Sequence, residues 1–238
     1  MENKIKILST TLLDPAIIEK AVLHNVVLDA IDFITTAPVT DATTIQRITT
    51  ALANPSATLV FTSANAVKAV GAFVVNQLQY KIFCIGKATK KAVENFFDSS
   101  LIQSWANDAE ELAKEIIEYN TKEVTFFCGN KRLDTLPAIL HQAGINVNEV
   151  IVYNTIENPT CIHKDYDGVL FFSPSCVHSF FTANKVTKHT ILFAIGHTTA
   201  DALKKVSNNK IVISSLPSKG QVVGEAIEYF TKLAIEKH

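Results

Sequence analysis

Phe61-Thr62-Ser63-Ala64-Asn65-Ala66-Val67 returns in altered form as Phe171-Phe172-Ser173-Pro174-Ser175-Cys176-Val177, a step of 110 residues. The same step carries Ile85-Gly86-Lys87-Ala88-Thr89 to Ile195-Gly196-His197-Thr198-Thr199. It also carries Leu101-Ile102-Gln103-Ser104 to Ile211-Val212-Ile213-Ser214. Each piece reads as an apolar strand, a Ser/Thr/Gly turn and, in the first two, the start of a helix. Three such units in one order at one offset predict two lobes of the same topology.

Outward from these pieces the pattern continues. Apolar runs mark strands at 4–8, 26–29, 58–61, 81–85, 101–103, 124–127, 148–153, 168–172, 190–195 and 210–213. Helical spacing fills the gaps. Leu112, Ile116 and Ile117 share one face of 108–119, with Glu110, Glu111, Lys114 and Glu118 largely opposite. Val222, Val223, Ala226, Ile227 and Phe230 do the same in 221–233. Strands alternating with helices predict an α/β chain of two doubly wound parallel-sheet lobes. Continuous apolar strands fit burial on both faces.

The lobes need not be sequential halves. The stretch 4–29 is strand–helix–strand, and its counterpart is 124–153 rather than anything preceding residue 58. A circular arrangement follows: 1–34 with 157–238 as one lobe, and 38–153 inserted as the other. Phe33-Ile34-Thr35-Thr36-Ala37-Pro38 and Asn154-Thr155-Ile156-Glu157-Asn158-Pro159 are then the connectors, 33–38 and 154–159. Both are rich in Thr, Asn and Pro, which suits extended chain. Two lobes on two connectors imply a cleft, and with it an expectation that one chain completes the site as a monomer.

Composition narrows the function. Hydrophobic residues make up 47% and charged residues 19%, the balance of a globular chain with a core. A formal net charge of -1 argues against a nucleic-acid-binding face. No apolar run reaches the roughly 20 residues of a membrane helix, and the start shows no signal-peptide layout. The expected location is cytoplasmic. Cys84, Cys128, Cys161 and Cys176 form no CxxC pair or metal spacing, so buried free thiols are expected and no metal. Neither a dinucleotide nor an ATP-binding glycine fingerprint is present, nor a G-x-S-x-G elbow.

In open parallel sheets ligands bind beyond the carboxyl ends of strands. Those ends here carry Thr62-Ser63, Gly86-Lys87-Ala88-Thr89, Cys128-Gly129-Asn130-Lys131-Arg132, Ser173-Pro174-Ser175, Gly196-His197-Thr198-Thr199 and Ser214-Ser215. Singly, such hydroxyls do no more than cap helices. Six of them converging on one cleft form an anion-binding rim, because first-turn N–H groups are exposed beside them. Arg132 is the candidate for bidentate carboxylate binding. Lys87, Lys90 and Lys91 add rim charge, or serve as a solvated face. Tyr153 ends a strand just before the second connector, as a cleft phenol or a packing residue. His197 belongs to the rim, since its counterpart is Lys87. Trp105 follows a strand end and packs.

Taken in order, these segments resemble the uroporphyrinogen-III synthase family over nearly the whole chain. To the pieces quoted above the resemblance adds Phe127-Cys128-Gly129-Asn130-Lys131-Arg132 and Val150-Ile151-Val152-Tyr153-Asn154-Thr155. It implies two doubly wound lobes on a two-stranded connector. The implied substrate is the linear tetrapyrrole hydroxymethylbilane, cyclised with loss of water and inversion of ring D. No cofactor and no metal are implied. Tyr153 matches the family's tyrosine proposed as proton donor. Ser63, Thr89, Ser173, Ser175, Thr198 and Thr199 match cleft-lining positions. Thr62, Gly86, Gly129, Asn130, Arg132 and Gly196 complete the expected substrate-binding set. Ala66, Cys176 and Lys90 depart from the small residues usual at those places. The rival expectation is a two-lobed binding or regulatory protein of the same fold without activity.

Overall fold

The computed structural model describes residues 4–75 and 79–235. The chain divides into two compact units, Met1–Thr35 with Ile156–His238, and Thr36–Thr155. Each is a doubly wound α/β unit.

The first unit holds strands β1 (Ile5–Ser9), β2 (Val26–Ala30), β9 (Gly168–Phe171), β10 (Ile191–Ala194) and β11 (Ile211–Ile213). They form one sheet in the order β11-β10-β9-β1-β2, each neighbouring pair parallel. Side chains alternate between faces, as a strand requires. Ile7, Leu170 and Phe193 meet helices α1 (Pro15–Leu23) and α9 (Lys219–Ile235) on one face. Leu8, Val169, Phe171 and Leu192 meet α7 (Pro174–Ala183) and α8 (His197–Lys204) on the other.

The second unit holds β4 (Thr58–Phe61), β5 (Lys81–Ile85), β6 (Ile102–Ala106) and β7 (Glu123–Gly129), with all but the first two residues of β3 (Ile34–Pro38) and all but the last two of β8 (Asn146–Glu157). Their order is β3-β8-β7-β4-β5-β6. Leu59, Phe61, Ile82 and Phe127 pack against α2 (Ala42–Ala53), α3 (Ala64–Gly71) and α4 (Lys87–Phe96). Val60, Phe83 and Phe126 pack against α5 (Ala109–Glu118) and α6 (Thr135–Gln142). Strand for strand, β8-β7-β4-β5-β6 repeats β2-β1-β9-β10-β11. The pairs β4/β9 and β5/β10 are those joined by the 110-residue step.

Local chemistry sets the element ends. Asp14, Asp41 and Asp108 cap α1, α2 and α5 by accepting first-turn N–H groups at 2.8–2.9 Å. Helix-to-strand turns use left-handed residues: Asn25 (φ 58°) after α1 and Gly144 (φ 77°) at the equivalent place after α6.

Two local expectations need correction. The segments 33–38 and 154–159, expected as extended connectors, carry hydrogen-bonded neighbouring strands, β3 and the end of β8, so Tyr153, expected to end a strand, lies four residues before the end of β8. Ile34, Thr35 and Thr36 are β-branched strand formers, and Pro38 is tolerated because β3 is an edge. Trp105 lies inside β6 rather than after a strand, because Asp98 caps a short 3-10 turn at Ser99–Leu101 and the strand begins one residue later. Its ring packs against the core, with the Lys90 ammonium 5.3 Å from its centroid.

Candidate functional site

In the second unit chain order reverses between β7 and β4, and in the first between β1 and β9. A crevice beyond the carboxyl ends of the strands opens at such a switch point. In each unit most of the expected residues sit at or just beyond those ends, whereas Tyr153 lies within β8.

At the end of β4, the Ser63 hydroxyl oxygen accepts the Asn65 N–H at 3.1 Å. At the end of β9, the Ser173 oxygen accepts the Cys176 N–H at 3.1 Å. Both serines are therefore helix caps, leaving Thr62 and Ser175 half-buried beside them. Helices α4 and α8 begin differently. Their N-caps are Gly86, held at φ 82°, and Gly196, and neither has a side-chain cap. First-turn N–H groups at these starts have no side chain of their own to satisfy them. Thr198 is exposed at the α8 start. Thr89 and Thr199, two residues inside α4 and α8, are only 5% and 3% exposed. They pack into their units, which places them behind the rim rather than on it.

The end of β7 carries the tightest geometry. Gly129 pairs with Tyr153 across a register shift at Cys128/Gly129. The Tyr153 phenol lies directly on Gly129: a Cβ there would overlap the ring at Cζ and stand 2.7 Å from the hydroxyl oxygen. A glycine is thus what seats the phenol at the switch point. Asn130 fixes the following backbone, donating its N–H to the Tyr153 carbonyl at 3.2 Å and accepting the Thr155 N–H through Oδ1 at 2.8 Å.

Arg132 differs from its expected role as a free carboxylate clamp. Its Nε donates to Glu149 and its Nη1 to Asp134, both within the same unit. The Asp134 hydrogen bond, foremost, and Glu149 raise its pKa further. The sequence hides this, because Glu149 lies on the neighbouring strand β8, 17 positions away.

The end of β1 was missed by sequence reasoning. Ser9-Thr10-Thr11 follows a strand as the other turns do, but Leu12-Leu13-Asp14 separates it from the first residue of α1. The Thr10 hydroxyl donates to the Leu170 carbonyl at 2.8 Å, pinning β1 to β9. Asp32 accepts both the Thr11 hydroxyl (3.0 Å) and the Leu12 N–H (2.8 Å). Lys219 reaches in from α9 to the Leu12 carbonyl at 2.9 Å. A Ser/Thr turn directly after the first strand was the signal available.

A cavity of about 370 Å³ adjoins Tyr153 within the second unit, between β3 and α3. Another, of about 280 Å³, is lined by Tyr166 and Thr190 near the amino ends of β9 and β10, away from these turns. Among the described residues no group of three or more His, Cys, Asp and Glu is placed to hold a metal ion. No helix among them is long and apolar enough to cross a membrane. Cys84, Cys128 and Cys176 are buried and Cys161 is exposed, all as free thiols. Burial pushes Cys84 and Cys128 up to about 11, away from nucleophilic use.

The chain is similar to a mutant uroporphyrinogen III synthase of Thermus thermophilus, with a TM-score of 0.68 and 16% identity over 98% of this chain and 100% of that one. It is similar also to the uroporphyrinogen-III synthetase of Helicobacter pylori 26695, with a TM-score of 0.66 and 17% identity over 94% and 99% of the two chains. At these identities the likeness establishes the fold. No curated protein sequence matches the chain. The family model for uroporphyrinogen-III synthase HemD matches residues 26–223. Because that match spans most of the sequence, the chain belongs to the uroporphyrinogen-III synthase family, the enzymes that cyclise hydroxymethylbilane to uroporphyrinogen III in tetrapyrrole biosynthesis.

Proposed function

We propose that Tyr153 is the proton donor of this cyclisation and that the strand-end turns hold the substrate's carboxylates. The seating of the Tyr153 phenol on Gly129, at the switch point of its sheet, is the observation that carries this reading. A neutral phenol donates one proton. It passes to the hydroxyl of the substrate's terminal hydroxymethyl group, the carbon–oxygen bond breaks, and water leaves. The pyrrole nitrogen donates electron density to the remaining carbocation. That carbon is attacked by the substituted α carbon of ring D, giving a spiro intermediate. The older bond from that ring carbon to the bridge toward ring C then breaks, and the bridge cation so formed bonds to the free α carbon of ring D, which inverts the ring. The last ring-closing carbon loses a proton, and the phenolate takes one up.

The substrate supplies its own cation stabilisation, so the protein's main contribution is position. A flexible chain with many carboxylates needs anchors along its length. The uncapped starts of α4 at Gly86 and α8 at Gly196 offer N–H donors. Thr62, Ser175 and Thr198 offer hydroxyls beside them. Ser63, Ser173, Gly129 and Asn130 act behind these, fixing the helix starts and the Tyr153 strand. Both sets of turns come from one chain, and the proposed working form is a monomer. Four free thiols suit a reducing compartment, and the cytoplasm is the proposed location.

The test is a coupled assay of the Tyr153→Phe variant, with hydroxymethylbilane generated in place by its upstream deaminase. A fall in turnover of roughly ten-fold or more, about 1.4 kcal/mol of barrier, is expected. Full turnover would remove Tyr153 from the acid role.

A further inference from the structure

Helix α3 has two working faces. Ala66, Val67, Val70 and Gly71 are buried in the core of the unit. Asn65, Lys68, Ala69 and Ala72, spaced by three and four, line the cavity beside Tyr153 instead. Ala69 and Ala72 end at Cβ, which leaves this face hollow. Residues 36–40 form the facing wall, and Phe73 adds an aromatic surface.

The chemistry of the lining is specific. It is largely apolar, with one cation. Lys68 is exposed and makes no ion pair among the described residues. Arg132, by contrast, is committed to Glu149 and Asp134, and Lys90 to Glu94 and the Trp105 face. A hollow apolar slot with a single unmatched ammonium fits a flat ring bearing a carboxylate arm. The volume of about 370 Å³ is near the lower end of the roughly 300–1,000 Å³ of small-ligand pockets. That accommodates one substituted pyrrole, not four.

We propose that this cavity binds one pyrrole ring of the linear tetrapyrrole, with a carboxylate arm on the Lys68 ammonium. The inference deepens the reading that Tyr153 faces substrate, and it places a ring within reach of that phenol. The Lys68 pair is charge-assisted and partly exposed, so it contributes to binding rather than to the bond-breaking step.

The probe is a monopyrrole carrying an acetate and a propionate arm, titrated into ¹⁵N-labelled protein at millimolar concentration. Amide shifts are expected in 36–40 and 65–73. Lys68→Met should weaken this binding about five-fold, the upper range for a partly exposed ion pair, and Lys68→Arg should restore it. Ala69→Leu fills the slot from a half-buried position and should weaken binding likewise with Tm kept. In the coupled assay Lys68→Met should raise KM by a similar factor and leave kcat within about two-fold. Shifts centred elsewhere, no shifts at all, or equal binding by Lys68→Met would overturn the proposal. A fall in kcat without change in KM would overturn it too. Tyr153→Phe separates the two readings: lost turnover with intact monopyrrole binding supports both, and intact turnover with intact binding removes only the acid role.

Discussion

Gly129→Ala tests whether the seat of Tyr153 matters, without touching the phenol itself. The backbone at Gly129 is not in the left-handed region, so alanine meets no conformational penalty there. The nearest three atoms to an added Cβ all belong to the Tyr153 ring, with Oη at 2.7 Å. Ordinary carbon contacts begin near 3.5 Å, so the ring must retreat by about 1 Å. A shift of that size takes the hydroxyl out of reach of the reacting oxygen and should cost as much as removing it, roughly ten-fold or more in rate, about 1.4 kcal/mol. Stability should fall less, by about 1 kcal/mol, because Tyr153 is only half-buried and can swing aside. The coupled assay reads kcat, and thermal unfolding reads the fold. In the Tyr153→Phe background the same alanine should add little further loss, since the hydroxyl it displaces is already gone. Wild-type kcat in Gly129→Ala, or losses that simply multiply in the double variant, would refute the argument.

Other outcomes follow from charge and burial. The Tyr166 hydroxyl donates to Asp29 at 2.6 Å, and that hydrogen bond, ahead of Lys164, holds the Asp29 carboxyl below its ordinary range. A depressed carboxylate stabilises the fold above its unfolded pKa and loses that contribution as pH falls. Tyr166→Phe should therefore cost about 1 kcal/mol at pH 7, with the gap from wild type closing below about pH 4 in denaturant titrations. A gap independent of pH would remove Asp29 as the partner. For the thiols, a chromogenic disulfide reagent at pH 8 should react quickly with Cys161 alone in the native protein and with all four cysteines once unfolded. Rapid native reaction of Cys84 or Cys128 would contradict their burial.

The sequence made the α/β architecture legible because parallel strands buried on both faces are continuous apolar runs. Thr58–Phe61 and Gly168–Phe171, each fully buried, are the plainest cases. That 33–38 is extended could be read from its Thr and Pro, but its pairing with β8, which makes it the strand β3, rests on a contact between distant positions. The start of β6 was hidden by a 3-10 turn whose Leu101 looks like strand. The turns after β4, β5, β9 and β10 could be read because Ser, Thr and Gly recur there at one offset. What could not be read were contacts between distant positions. Tyr153 on Gly129 depends on a register shift between neighbouring strands. The ion pairs of Arg132 need Glu149 brought beside it on β8. Lys219 meets the β1 turn across 207 residues of sequence.

The isomer composition of the coupled assay tests the central claim most directly. Hydroxymethylbilane is generated in place, the protein is added, and the products are oxidised and separated. The account predicts uroporphyrin III in clear excess over the isomer I that forms spontaneously. Isomer I alone, from protein shown to be folded, would contradict it and leave the fold serving binding or regulation.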